Sequence, residues 1–282
     1  MEKPEFFMDI TSRSTRDINF PSLNGGYFKI YHQNVRSLRR KTHELVTHLY
    51  PDLPHILCLT EHHLNTMELR YATLENYTIA GQFRRSHFEK GGVVMYIHNS
   101  LNSTNIDLSK YCKEKDMEIC AVKLKINVTP VCVITVYRSP SGNFNHFLQS
   151  LDAVLQTLYT PTQSFIICGD ININYLVVSE QRKQLDTLLF VYNLKSIVDF
   201  PTRHNCTSSS AVDNIFIDIT CFNDYSLTPF YNDLSDHDAQ ILTIKTLCQL
   251  QQDTVKIVRK VDQHAISDFI YKLSQESLII LM

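Results

Sequence analysis

The stretch DLSDHDAQILTI, residues 233–244, places Asp233, Asp236, His237 and Asp238 within six positions, directly before an alternating apolar run. The alternation predicts a strand, so the acids and the histidine lie where the chain enters a sheet. Two interpretations fit this pattern. One is an acidic turn before a strand, and the other is a site in which a histidine works beside carboxylates and a metal ion.

Seven further segments have the alternation or the β-branched enrichment of strands. With the run just quoted, the predicted strands cover 27–34, 55–61, 92–98, 118–126, 131–138, 164–170, 211–219 and 239–245. Apolar residues at helical spacing predict helices over 36–50, with Ser37 as its cap, over 144–159 and around 185–192. Adjacent strands interleaved with helices predict an α/β fold of stacked sheets with helices outside.

Composition and charge exclude several classes of protein. The chain has 282 residues, of which 44% are hydrophobic and 20% charged, which predicts a globular core. The formal net charge of -2 excludes a strongly basic protein that coats nucleic acid, although an enzyme that touches a few phosphates is still allowed. No apolar run reaches the roughly 20 residues that span a bilayer, and the polar N-terminus lacks the apolar core of a signal peptide. We therefore expect an intracellular protein, nuclear or cytoplasmic, without membrane contact.

The cysteines give no sign of a metal or redox motif. There are eight, none of them in a CxxC pair, which argues against a zinc ribbon and a thioredoxin-like motif. Several lie inside apolar runs such as HILCLT (55–60) and FIICGD (165–170), where cysteine behaves as a small buried hydrophobe. Reduced, structural cysteines are expected, in keeping with an intracellular compartment.

Polar side chains recur where the predicted strands begin or end. Taken singly, each has an ordinary explanation as a turn former, a cap or a solvated residue. Together and in this order they are far less common by chance, and ligands gather at such strand ends in α/β sheets. The candidates are Asn34, Glu61, Tyr137, Asp170, Asn172, Asp213, Asp236 and His237.

The chemistry of these groups points to one kind of reaction. Carboxylate and amide oxygens are hard ligands that suit Mg²⁺, and the set contains no cysteine–histidine cluster for zinc. A histidine beside carboxylates can stabilise charge on a phosphoryl oxygen, while a separate aspartate positions or deprotonates a water molecule. We therefore interpret the set as a site for metal-assisted phosphodiester hydrolysis.

Six motifs resemble those of a known family. They are HQNVRSL (32–38), LTEHHL (59–64), VYRSP (136–140), CGDININ (168–174), SAVDNIF (210–216) and LSDHDAQ (234–240). In this order they resemble the endonuclease/exonuclease/phosphatase superfamily, and within it the apurinic-type endonuclease domain of non-LTR, LINE-like retrotransposons. DFPTR (199–203) and EKGGVVMYI (89–97) are similar to that subgroup. The chain departs from many relatives in having no tryptophan, so recognition of abasic sites cannot be carried over.

The resemblance implies a DNase I-like fold, a four-layered α/β sandwich of two packed mixed β-sheets flanked by helices. It also implies a division of the chain into an N-terminal extension (1–26), a catalytic domain (27–248) and a linker with a C-terminal helix that begins near His264 (249–282). The last segment looks like a truncated connector towards a reverse transcriptase. No obligate protein partner is evident beyond that region of a parent polyprotein.

The resemblance also implies a role for each candidate residue. Glu61 is the main Mg²⁺ ligand, with Mn²⁺ as a substitute ion, and Asn34 and Asp236 help to hold the metal. Asp170 orients or deprotonates the attacking water, and Asn172 and Tyr137 contact the phosphate. His237 stabilises the transition state. Asp213 orients His237.

Basic residues near these motifs are candidates for DNA contacts. Arg36 and Arg39 follow Asn34, Arg84 lies before the EKGG motif, and Arg203 ends DFPTR. If they line the cleft, they neutralise phosphates and make binding salt-sensitive. The alternative for Arg39 is the solvated face of a helix, which a single sequence cannot orient.

Three functions are compatible with the sequence. The first is a Mg²⁺-dependent DNA endonuclease that nicks target DNA, so that the freed 3′-hydroxyl primes reverse transcription. The second is another phosphoesterase of the same fold, acting on phosphoinositide, phospholipid or poly(A). The third is a catalytically silent nucleic-acid-binding module, against which the complete set of catalytic residue types argues.

Overall fold

The computed structural model of the chain describes residues 26–205 and 208–246, together with 267, 270–272 and 274. The chain divides into two compact units, Met1–Cys248 and Gln249–Met282. The described residues of the second unit are helical. Nearly all of the predicted N-terminal extension, the linker and the start of the C-terminal helix near His264 lie outside the described residues.

The described part of the first unit contains fourteen strands, four α-helices and one short 3-10 helix, Ser109–Tyr111. In chain order, strands β1 to β14 are Tyr27–Asn34, Ile56–Thr60, Tyr77–Phe83, Val93–His98, Thr104–Ile106, Glu118–Ile126, Thr129–Tyr137, Ser164–Asp170, Leu194–Ser196, Arg203–Asn205, Ser208–Ser210, Asp213–Asp218, Tyr225–Phe230 and Ala239–Lys245. Helices α1 to α4 are Thr42–Leu49, Thr66–Tyr71, Phe144–Leu158 and Glu180–Phe190.

The strands form two six-stranded mixed sheets. The first has the order β13-β14-β1-β2-β4-β3 and the second the order β5-β6-β7-β8-β12-β9, while β10 and β11 form a separate hairpin. Strands β1 and β2 are parallel, as are β7 and β8. The central strands are buried on both faces, which explains why their sequences are near-continuous apolar runs.

The core lies in layers. Phe28 and Met95 of the first sheet join Val133 and Ile167 of the second in one apolar cluster, to which Phe147 of α3 also belongs. On the other side of the first sheet, helices α1 and α2 complete a second cluster. The architecture is therefore the predicted four-layered α/β sandwich, and the fold prediction is confirmed. No helix in the described part of the chain has both the length and the apolar character that a bilayer crossing requires.

The predicted helix over 36–50 is wrong in its first part. Only Thr42–Leu49 is helical, because Arg36, Ser37 and Arg40 have positive φ angles of 41°, 90° and 62°. An α-helix requires negative φ, so these residues cannot join one. The amides of Ser37 and Leu38 instead donate to carbonyls of the segment after β2, at 2.8 Å and 3.0 Å. This links the ends of β1 and β2, where the candidate site lies.

Candidate active site

The sheet registers bring the candidate residues to one edge of the sandwich. In the second sheet, Asp170 at the end of β8 pairs with Tyr137 at the end of β7 and with Asp213 at the start of β12. In the first sheet, Asn34 at the end of β1 lies beside the last residue of β2, and Glu61 follows it. The two sheets meet directly, because Asn34 Nδ2 donates to Asp170 Oδ2 at 2.8 Å.

The backbone at this edge is conformationally unusual. Glu61, His63 and Asn172 have φ angles of 53°, 55° and 51°, in the left-handed region that few non-glycine residues adopt. Such strain persists only where surrounding contacts impose it, and it is concentrated at functional sites. The loops after β2 and β8 thus carry unusual backbone conformations at the residues that follow the strand ends.

Glu61 is the centre of the first group. Its two carboxylate oxygens lie 2.9 Å from Asn34 Nδ2 and 2.9 Å from His63 Nε2. Burial alone would raise the pKa of Glu61, but hydrogen bonds from His63, Asn34 and Tyr137 outweigh it and lower the pKa to about 2. An ionised carboxylate among oxygen-bearing side chains is the donor chemistry that a hard divalent cation prefers.

Asp170 is fully enclosed between the two sheets. It accepts hydrogen bonds from Asn34 and, at 3.0 Å, from the backbone amide of Asn172. Burial, together with the negative charge of Asp213, raises the pKa of Asp170 above its ordinary value. A carboxylate with a raised pKa is a better proton acceptor than an exposed aspartate.

Asp213 and His237 form a buried pair. Asp213 Oδ2 lies 2.7 Å from His237 Nδ1 and also accepts the hydroxyl of Thr202 at 2.9 Å. Burial disfavours the charged imidazole, but the Asp213 carboxylate outweighs it and raises the pKa of His237 to about 9. Ligand atoms of Asp170, Asp213 and His237 all lie within 4.8 Å of one another. The histidine, which its raised pKa keeps cationic at neutral pH, therefore lies beside Asp170, the candidate base.

Asp236 lies at the rim of this group. One of its oxygens accepts Arg36 at 2.8 Å and the other accepts Arg203 at 3.1 Å. Both guanidinium groups are partly exposed. Each carboxylate oxygen of Asp236 thus already has an arginine partner, as each oxygen of Glu61 has Asn34 or His63.

Three other predicted residues, Asn172, Arg39 and Arg84, also have partners within the protein. Asn172 reaches the cleft but donates its side-chain amide to the Arg138 carbonyl at 2.7 Å. Arg39 forms two hydrogen bonds with Glu68, at 2.7 Å and 2.9 Å. Arg84 is exposed, with its guanidinium 3.4 Å from the Arg85 carbonyl.

Sequence reasoning missed residues that hold the site together. His63 contacts Glu61, and Thr202 contacts Asp213. Arg138 is buried and donates to the carbonyls of Ile171 and Asn172 at 2.9 Å and 3.1 Å. Each of the three lies inside a quoted motif, so proximity to a candidate residue was the available signal.

Comparison with known proteins identifies a family for this chain. The model of the endonuclease/exonuclease/phosphatase family matches residues 28–237. Comparison with curated protein sequences finds no match.

Among solved structures, the endonuclease domain of TRAS1, a telomere-specific non-LTR retrotransposon, is similar with a TM-score of 0.64 and 15% identity, over 78% of this chain and 99% of that one. The AP endonuclease LMAP from Leishmania major has a TM-score of 0.61 and 14% identity, over 78% and 88% of the two chains. D. rerio TDP2 complexed with a single-strand DNA product has a TM-score of 0.58 and 14% identity, over 78% and 99%. At these identities the likeness establishes the fold alone.

Proposed function

This chain belongs to the endonuclease/exonuclease/phosphatase family, whose members are hydrolases acting on phosphodiester bonds, and on that premise we propose that it is a Mg²⁺-dependent DNA endonuclease. The proposal includes its origin: a retrotransposon endonuclease that nicks target DNA so that the new 3′-hydroxyl can prime reverse transcription. The motifs quoted above and the likeness to the TRAS1 domain support that origin.

One observation carries the proposal. The Asn34–Glu61 pair of one sheet and the Asp170, Asp213 and His237 group of the other are joined by the 2.8 Å hydrogen bond between Asn34 and Asp170. Five side chains from separate strand ends thus form one polar network, in which the ligand atoms of Asp213 and His237 lie within 4.8 Å of that of Asp170. A catalytically silent binding module has no need for this network.

The residues of the network divide the work of hydrolysis. Asp170 orients a water molecule and accepts its proton, as its raised pKa favours. The water oxygen bonds to phosphorus as the bond from phosphorus to the 3′-oxygen breaks, and the 3′-oxygen takes a proton from solvent, which leaves a 3′-hydroxyl and a 5′-phosphate. His237, held by Asp213 through Nδ1, presents Nε2 to the charge that grows on the phosphate oxygens.

Glu61 and Asn34 would hold the divalent cation. Glu61 is ionised at neutral pH because of its low pKa, and Asn34 lies within hydrogen-bond distance of it. The cation, when bound, supplies positive charge that the phosphate group needs. Mn²⁺ is expected to replace Mg²⁺, because it accepts the same oxygen ligands.

The substrate decides between this function and the other phosphoesterase functions. In the test, the full chain is incubated in the presence of Mg²⁺ with one substrate at a time: supercoiled plasmid, poly(A) or inositol phosphates. The ends of any nick in the plasmid are then mapped. We expect nicked circles whose 3′ ends a polymerase extends without further treatment. Hydrolysis of poly(A) or inositol phosphates with intact plasmid would assign the chain to another branch of the family.

A further inference from the structure

A cavity of about 450 Å³ is lined by residues that follow β1 and β2, among them Ser37 and His63. Both of these residues contact Glu61: the Ser37 amide donates to the Glu61 carbonyl at 2.8 Å, and His63 Nε2 lies 2.9 Å from the Glu61 carboxylate. Its volume lies within the roughly 300–1,000 Å³ of small-ligand sites. Ser37 and His63 therefore connect the wall of the cavity to the candidate active site.

The opposite wall of the cavity is the loop of residues 84–92, which carries Arg85, Phe88 and Lys90. This 84–92 loop is fixed at its centre by Glu114, whose carboxylate accepts the backbone amides of Ser86, His87 and Phe88, at 2.6 Å, 3.1 Å and 2.9 Å. It is fixed a second time by the buried ion pair between Arg85 and Glu118, at 2.5 Å. A loop tied at two points holds its side chains in place before any ligand arrives.

Phe88 gives the cavity an aromatic rim. Its side chain is 47% exposed, and Lys115 Nζ lies 3.4 Å above the ring centroid on one face. Lys90 also lines the cavity, and among the described residues its ammonium group has no ion-pair partner. An exposed ring beside cations is the arrangement with which proteins bind unpaired nucleotides, since any base can stack on the ring while the cations neutralise the backbone.

We propose that this cavity is a subsite for an unpaired nucleotide of the substrate strand, with its base stacked on Phe88 and its phosphate near Lys90. The inference rests on the proposed function, because it takes the polymer cut at Glu61 to be DNA. It adds a substrate class: a strand with an unpaired base next to the scissile bond. A base inside a duplex has both faces covered by its neighbours and cannot stack on a side chain.

Binding without catalysis tests the subsite. Fluorescence anisotropy of the full chain in EDTA is measured with a labelled oligo-dT of about 20 nucleotides and with a duplex of the same length. Base stacking contributes about 1–3 kcal/mol, so Phe88→Ala is expected to weaken binding of the single strand about tenfold and that of the duplex less than about twofold. Phe88→Trp should retain the wild-type affinity. Phe190→Ala, which removes a ring that is 80% exposed at the end of α4, is the matched control and should change neither.

Equal loss of single-strand and duplex binding in Phe88→Ala would overturn the subsite, as would no loss at all. Because no metal is present, the outcome is independent of hydrolysis. A chain that cuts no DNA but shows the Phe88 dependence would refute the proposed function and leave the subsite in place. Normal plasmid nicking with no Phe88 dependence in the binding assay would refute the subsite and leave the proposed function in place.

Discussion

At the scale of single residues, the candidate site depends on which atom of each polar group is already engaged. His237 is fixed through Nδ1 by the Asp213 carboxylate, which leaves Nε2 as the atom that can meet the substrate. Asp213 is itself held by Thr202. The orientation of the imidazole is therefore set before the substrate binds, and that is what lets a hydrogen-bond donor act on the transition state.

Replacing His237 tests this assignment. His237→Asn is expected to lower kcat about 10²–10³-fold with little change in KM, because the lost interaction acts mainly on charge that develops during the reaction. Steady-state kinetics on a labelled oligonucleotide measures both constants. The control is His204→Asn, since His204 also contacts an aspartate, Asp238 at 3.1 Å, but lies at 50% exposure outside the network. Equal losses in the two variants would refute the role of His237.

Arg203 supports a prediction about binding. One of its nitrogens bonds Asp236, and at 32% exposure the rest of its guanidinium group is open to a phosphate. Arg203→Met should weaken DNA binding about equally for all sequences and reduce the slope of log affinity against log salt by about one. Titrations at several salt concentrations measure the slope, with Arg70→Met, an exposed arginine of α2, as control. An unchanged slope would remove Arg203 from the DNA contacts.

The sequence predicts residue types better than it predicts contacts. Asn34, Glu61, Asp170 and Asp213 could be named because each terminates or begins a strand in a recognisable motif. The engagement of both Asp236 oxygens by arginines could not be predicted, since one of those arginines is 200 positions away in the chain. Such contacts depend on the path of the loops.

At the scale of elements, strands β7 and β8 are held together by close backbone approach. Gly169 precedes Asp170 on β8, and a Cβ atom at this position would lie 2.0 Å from the carbonyl oxygen of Val136 on β7. Real atoms do not approach so closely, so any side chain there must push the two strands apart. Glycine at 169 is therefore a requirement of the β7–β8 pair that delivers Tyr137 and Asp170.

Gly169→Ala is expected to destabilise the protein by about 3 kcal/mol, since the clash is with backbone and cannot be relieved by a rotamer change. Urea unfolding measures the loss. Gly81→Ala is the matched control, because its Cβ would meet side-chain atoms alone, Cys120 Cβ at 3.2 Å and Asn105 Oδ1 at 3.6 Å, and it should cost about 1 kcal/mol or less. A Gly169→Ala protein as stable as the control would contradict this view of the strand pair.

The 84–92 loop gives a prediction about pH. Burial would raise the pKa of Glu114, but the amides of Ser86, Phe88 and His87 outweigh it and lower the pKa to about 2, from an ordinary value of 4.5. A lowered folded-state pKa means that the carboxylate stabilises the fold above pH 4.5, and that this contribution is lost as the pH falls towards 2.

Glu114→Gln should therefore cost about 1 kcal/mol near neutral pH, and its difference from wild type should shrink as the solution is acidified below the ordinary carboxylate pKa. Thermal unfolding across that range measures the difference. Glu75→Gln, at an exposed position, is the control and should show no trend. A difference that stays constant with pH would show that Glu114 does not anchor the loop through its charge.

Elements differed in how well the sequence predicted them. Strands β1, β6, β8 and β14 have the predicted bounds, because a strand buried on one or both faces reads as an alternating or continuous apolar run. Strand β13 was missed, since it is a largely exposed edge strand that contains Pro229. The false helix start at 36–41 had helical spacing, but the loop that joins β1 to the segment after β2 determined its backbone.

At the scale of the whole molecule, the candidate site forms because the packing of the two sheets brings their strand ends together at one edge. The first sheet supplies Asn34 at the end of β1 and Glu61 directly after β2. The second sheet supplies Tyr137, Asp170 and Asp213. Stacked sheets could be predicted from strand and helix periodicity, and the four layers from the family motifs. The alignment between the sheets depends on side-chain packing in the shared core, which no local pattern encodes.

We propose that the network of Asn34, Glu61, Asp170, Asp213 and His237 performs metal-dependent hydrolysis of DNA. The most direct test is the rate at which supercoiled plasmid becomes nicked circles as Mg²⁺ is titrated, for the wild-type protein and for Asp170→Asn with matched circular dichroism. We expect no nicking in EDTA, nicking that rises with Mg²⁺ or Mn²⁺, and a rate about 10³-fold lower in Asp170→Asn. Nicking that persists in EDTA, or that proceeds equally fast in the two proteins, would contradict the proposal.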